Sequence, residues 1–195
     1  MSRHAEVVDR LVATDPAQLP DEVLKRRILG VQAQLRRLQA TLARDVRELE
    51  LRGSHVEDAA GTVVSWLQAQ SNTSRQDAAG LRRLGRDCER LPVMAAALAA
   101  GEVSVAHVQV LAAATRRLDA ERVAADEKHL VDLAREFDPT LFGICVRRWV
   151  AVTFPDRHER DTQRDYDSRW LRLAETIGGM VALSDHSPRH LVSRR

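Results

Sequence analysis

From Asp21 to Arg52 the apolar residues Leu24, Ile28, Val31, Leu35, Leu38, Leu42, Val46 and Leu49 recur at spacings of three and four, between Pro20 and Gly53. That periodicity predicts a single helix, and at a rise of about 1.5 Å per residue it would extend roughly 50 Å. A stripe so narrow and so long needs a partner, either a later helix of the chain or a second copy of the same helix. Composition points the same way. Aromatic residues are only 4% of the 195, while 44% are hydrophobic, with nine glycines and six prolines. Such a mixture favours helices over sheets and supports a folded core.

The remainder reads as shorter helices separated by chemically distinct breaks. Val63, Val64, Trp66 and Leu67 form a short amphipathic piece. Ser74 with Asp77 then makes a capping-box pattern ahead of a helix that buries Ala78, Leu81, Leu84, Cys88 and Leu91. Pro92 ends that helix and suits the first turn of the next, which runs to Ala100. Gly101 fits a left-handed C-terminal position and Ser104 an N-cap, so LPVMAAALAAGEVSVAHVQVLAAA is a helical hairpin with Val105, Val108 and Leu111 facing the core. It is no membrane span, since Glu102, His107 and Gln109 interrupt a run that falls short of the roughly 20 apolar residues required. A further helix starts at Asp119 or Ala120, with Val123, Leu130, Leu133, Ala134 and Phe137 on one side and acids on the other. Asp138 and Pro139 open the last one, through Leu141, Ile144, Cys145, Arg148, Trp149 and Val152 to Phe154.

The expected fold is therefore mainly α, a domain of roughly seven helices with one long N-terminal helix. RWLRLAE and MVALS alternate around TIGG and predict a small C-terminal β-hairpin. The expected organisation is a flexible segment 1–19, a helical domain 20–155, a charged helix plus hairpin 156–184, and a disordered tail 185–195. Glu6 and Asp9 sit where a signal peptide would be apolar, which predicts a cytoplasmic protein.

Lys plus Arg number 30 against 28 Asp plus Glu, for a net charge of +2. Lys25 and Lys128 are the only lysines, and arginine is the cation that grips phosphate bidentately. On the long helix Lys25, Arg26, Arg36, Arg37, Arg44 and Arg47 fall away from the apolar stripe, and no acid occurs between positions 23 and 44. Arg26 to Arg44 would span about 27 Å, enough to follow several phosphates of DNA. Against this stands a solvated outer face, or one neutralised by the acidic helix of Asp119, Glu121, Asp126, Glu127, Asp132 and Glu136. A second group, Arg147, Arg148, Arg157, Arg160, Arg164, Arg169 and Arg172, is interleaved with acids, so its field cancels.

Nothing announces catalysis. His107 lies among valines and reads as structural, Ser104 as a cap, and Cys88 and Cys145 as small core residues. His158 beside Glu159 and Asp161, and His186 with His190 across Pro188, lack the geometry of a metal site. No enzyme activity, cofactor, metal or small-molecule substrate is expected.

The run SWLQAQSNTSRQDAAGLRRLGRDCERLPVMAAALAAGEVSVAHVQVLAAAT resembles the hallmark segment of the actinobacterial 13E12 repeat family, also called domain of unknown function 222. Trp66 and Leu67, the Leu91–Pro92 break, the turn with Gly101, Glu102 and Ser104, and His107 carry the likeness. RWLRLAETIGGMVALS is similar to the family's later arginine-rich strand and Gly-Met turn, so the resemblance covers about residues 20–184. It implies a helical region that precedes a His-Asn-His nuclease module, where a histidine activates water beside a divalent metal. After Leu183 the chain offers only SDHSPRHLVSRR, without an Asn-His pair. The expectation is a non-catalytic domain of a nuclease-like protein that associates with DNA. The alternatives are a module that self-associates through the long helix, or a truncated remnant.

Overall fold

The computed structural model describes residues 3–155, 170–175 and 181–186. The charged segment after Pro155, the TIGG turn and the tail fall outside them. The chain divides into two compact units, Met1–Gly143 and Ile144–Arg195. Eight α-helices occur among the described residues: α1 (Arg3–Ala13), α2 (Asp21–Arg52), α3 (Val63–Ser71), α4 (Arg75–Arg90), α5 (Pro92–Ala100), α6 (Val105–Thr115), α7 (Ala120–Glu136) and α8 (Pro139–Thr153). The protein is mainly helical, and no described helix is long and apolar enough to cross a membrane. In the second unit the rings of Trp149 and Phe154 meet edge to face at 5.7 Å. There the backbones of β1 (Trp170–Glu175) and β2 (Val181–His186) run antiparallel, with Trp170 opposite His186 and Glu175 opposite Val181.

Local chemistry sets the helix ends of the first unit. Ser74 accepts from the Asp77 N–H at 3.1 Å and Asp119 from the Arg122 N–H at 2.8 Å, each satisfying a donor that the first helical turn leaves over. Gly53 and Gly101 close α2 and α5 at φ 70° and 82°, where a Cβ would be strained. Residues 1–19 contain α1, a helix that the sequence reading did not anticipate. Its C-terminal carbonyls of Leu11 and Thr14 accept from the guanidinium of Arg27, a cation suited to the negative end of the helix.

The main core is built from α5, α6, α7 and the start of α8, with Leu91 at the α4–α5 junction. Leu91, Met94, Leu98, Val103, Val108, Leu111, Leu130, Val131 and Phe142 are fully buried. A second cluster joins Val46 of α2 to Val63 and Leu67 of α3 and Ala78 of α4.

The long helix corrects the expectation about its inner side. Ile28, Leu35, Leu38 and Leu42 are 50%, 53%, 58% and 50% exposed, whereas Ala43 is fully buried. The buried side is the alanine side. A Cβ on Gly85 of α4 would lie 2.5 Å from the Ala43 carbonyl oxygen, and one on Gly101 would lie 2.9 Å from that of Ala33. Helices in such close contact exclude leucine from the crossing, because a larger side chain would force the backbones apart. At its C-terminal end, Val46 and Leu49 of the leucine stripe join the second cluster, and Leu24 and Val31 are half-buried.

Candidate functional site

Lys25, Arg26, Arg37 and Arg44 stay on the exposed side of α2. Each meets an acceptor on its own helix: Lys25 the Glu22 carboxylate at 2.7 Å, Arg26 the Glu22 carbonyl at 3.2 Å, Arg37 the Gln34 amide oxygen at 3.1 Å, and Arg44 Asp45 at 3.7 Å. The other two point inward, contrary to the expectation of one outward face. Arg36 donates to the Gly101 carbonyl at 3.2 Å. Arg47, 22% exposed, bridges Glu50 at 2.9 Å and Glu89 of α4 at 2.8 Å.

The acids that pair with these cations are therefore not on α7 but on α2 itself, at Glu22, Asp45 and Glu50, and on α4, at Glu89. Glu50 takes Arg47, Arg82 and Arg86 together, with Arg86 at 2.7 Å. Burial alone would raise its carboxyl, but hydrogen bonds from Arg86, Arg82 and Arg47 hold it down to about 2. A depressed carboxyl stabilises the fold above its ordinary value of 4.5 and loses that contribution as pH falls toward about 2. Glu50→Gln should therefore cost on the order of 2 kcal/mol at neutral pH, discounted because Arg82 and Arg86 are 37% and 48% exposed. Chemical denaturation at neutral and acid pH checks it: the gap from the unsubstituted protein should shrink between those two values.

Among the acids expected to form the polar side of α7, Glu127 is instead 1% exposed. Its Oε1 accepts the Met94 N–H at 2.9 Å, and the neighbouring Val93 N–H also favours its charged form. α5 has no side-chain cap of its own, so Glu127 acts as its cap from another helix. Its sequence context, between Asp126 and Lys128, gave no sign of this.

A third arrangement escaped the sequence reading altogether. Arg82, Arg83, Arg86 and Arg90 of α4 and Arg116 after α6 line one cleft with Asp87 at its wall. Spacing of four along α4 is the signal that the sequence carries for it. Among the described residues no three His, Cys, Asp or Glu are grouped to hold a metal ion.

The family model described as Domain of unknown function (DUF222) matches residues 26–189. The chain belongs to the DUF222 family. No curated protein and no solved structure matches it. In this DUF222 domain the motif residues form joints between helices. The Trp66 indole N–H donates to Asp58 at 2.6 Å, and Leu67 and Leu91 are buried. Pro92 starts α5, and Glu102 pairs with Arg135 of α7 at 2.7 Å. The Nδ1 of His107 accepts the Ser104 N–H at 3.1 Å. A backbone N–H can only donate, so Nε2 carries the proton and donates to the Phe137 carbonyl at 2.9 Å. Both ring nitrogens thus tie the start of α6 to the end of α7. Of the cysteines, Cys88 is half-buried, and burial with neighbouring Asp87 pushes its thiol up to about 11, so it is a poor nucleophile.

Proposed function

We propose that this DUF222 domain is a non-catalytic helical interaction module that pairs with a second copy of itself through the outward stripe of α2. The observation that carries this reading is the exposure of Ile28, Leu35, Leu38 and Leu42. Together with Val31 they repeat at three and four, an average of 3.5 residues, which lets two copies of one helix keep the same seam in contact. The alanine side is already occupied by α4 and α5, so the stripe is the side of α2 left for a partner. Contact with DNA along α2 is the weaker reading, because Arg36 and Arg47 are engaged within the domain. The non-catalytic assignment is supported by His107, whose two nitrogens are both used in capping.

Completing the burial of four half-exposed aliphatic residues would contribute roughly 1 kcal/mol each. Association itself costs about 4 kcal/mol or more, so the dimer is expected to be weak and concentration-dependent. Sedimentation equilibrium should show dimer growing with protein concentration, and Leu35→Lys combined with Leu42→Lys should hold the chain monomeric. Helicity and Tm should barely change, since exposed substitutions cost within about 0.5 kcal/mol. A monomer at every concentration, or an undiminished dimer in the double variant, would refute the reading.

A further inference from the structure

The cleft beside α4 has a volume of about 360 Å³, and its charge is not balanced within the domain. Five guanidinium groups face two carboxylates. Glu50 engages Arg82 and Arg86. Asp87 is 6% exposed and approaches Arg90 and Arg116 only at 3.8 and 3.9 Å, too far for hydrogen bonds. Burial raises the Asp87 carboxyl, while Arg90, Arg116 and Arg83 pull it the other way. Arg90 donates to the Ala112 carbonyl at 2.8 Å, which fixes its position and leaves its other donors available. Arg83 is exposed and makes no hydrogen bond or ion pair among the described residues.

Arg82, Arg86 and Arg90 follow one another at four-residue intervals, so their stems rise along α4 in steps of about 6 Å. Such a row suits a ligand that carries several anionic groups in succession rather than one. Guanidinium forks bind phosphate oxygens in pairs, and groups already held by Glu50 and Ala112 lose little freedom when they do so. We propose that this cleft is a binding site for linked phosphate groups, with Arg83, Arg90 and Arg116 supplying the open donors and Arg82 and Arg86 the fixed positive wall. It shares no residue with the apolar stripe, so the two readings stand or fall separately.

Calorimetry with inorganic tripolyphosphate and fluorescence anisotropy with a labelled DNA duplex, both at low salt, test it on the full chain. Tripolyphosphate binding alone would identify a free polyphosphate ester as the source, duplex binding alone a nucleic-acid backbone, and binding of both the shared phosphate chemistry. For whichever probe binds, Arg83→Glu with Arg116→Glu should weaken affinity about tenfold or more and flatten its salt dependence. Both residues also face the buried Asp87 carboxylate, so Arg83→Gln with Arg116→Gln, which removes the charges without reversing them, should weaken affinity in the same direction while Tm changes less than in the Glu variants. Arg26→Glu with Arg37→Glu on α2, made as a control, should leave affinity within about twofold at moderate salt. Absence of binding by both probes at low salt, or equal losses from the two double variants, would overturn the proposal.

Discussion

Glu127→Ala is expected to lower the unfolding free energy by about 2–4 kcal/mol, read as a shift in urea midpoint and Tm. The N–H groups of Met94 and Val93 lie in the first turn of α5, where no earlier carbonyl can reach them. Met94 and Glu127 are almost wholly buried, so water cannot easily replace the lost acceptor. An unsatisfied buried donor costs about 1–3 kcal/mol, and the vacated volume adds to that. Glu127→Gln keeps one carbonyl oxygen and should recover more than half of the loss.

The pH dependence separates the charge of Glu127 from its role as an acceptor. Desolvation raises the carboxyl above 4.5 in spite of the Met94 and Val93 hydrogen bonds. The folded state thus holds the proton more tightly than the unfolded chain does. Its contribution is full below 4.5 and is lost as pH rises through the raised folded value, the reverse of Glu50. Denaturation midpoints of Glu127→Gln should lack that decline.

Gly85→Leu should be comparably damaging, by about 3 kcal/mol or more, and Gly85→Ala by less, because a helix-propensity gain of about 1 kcal/mol opposes the clash. A Cβ there would sit 2.5 Å from the Ala43 carbonyl oxygen and 3.0 Å from the Arg47 Cβ, and the first of these is backbone that cannot rotate away. α2 and α4 would have to separate. Gly80 of the same helix is the internal control, since nothing lies within 4 Å of its Cβ position. Gly80→Ala should be neutral or stabilising by up to about 1 kcal/mol. Thermal unfolding of the three variants side by side gives the comparison, and a Gly85→Leu variant as stable as Gly80→Ala would contradict the close crossing.

Much of the helix inventory could be read one residue at a time. The bounds of α2, the Pro92 restart, the Gly101 stop and the Ser104 start agree with the structure because caps and breakers act over one turn. Helix α1 carries Val8, Leu11 and Val12, a short amphipathic pattern without the cap and breaker residues that mark the later helices.

Local amino-acid chemistry was enough to say where α2 to α8 begin and end, to within a residue or two, and that α2 would carry one apolar ridge. Which side of α2 meets the core was not encoded in that ridge. Hydropathy records a preference for leaving water, whereas Gly85 of α4 and Gly101 after α5 select the flank that allows the closest approach, and that flank is alanine. The same long-range arrangement draws Arg36, Arg47, Glu50 and Glu127 inward and gathers five arginines around one cleft. The inward placements depend on a neighbour about 30 or more positions away, so periodicity within a single segment carries no trace of them, whereas the arginine row of the cleft shows as spacing of four along α4 and only its junction with Arg116 is long-range.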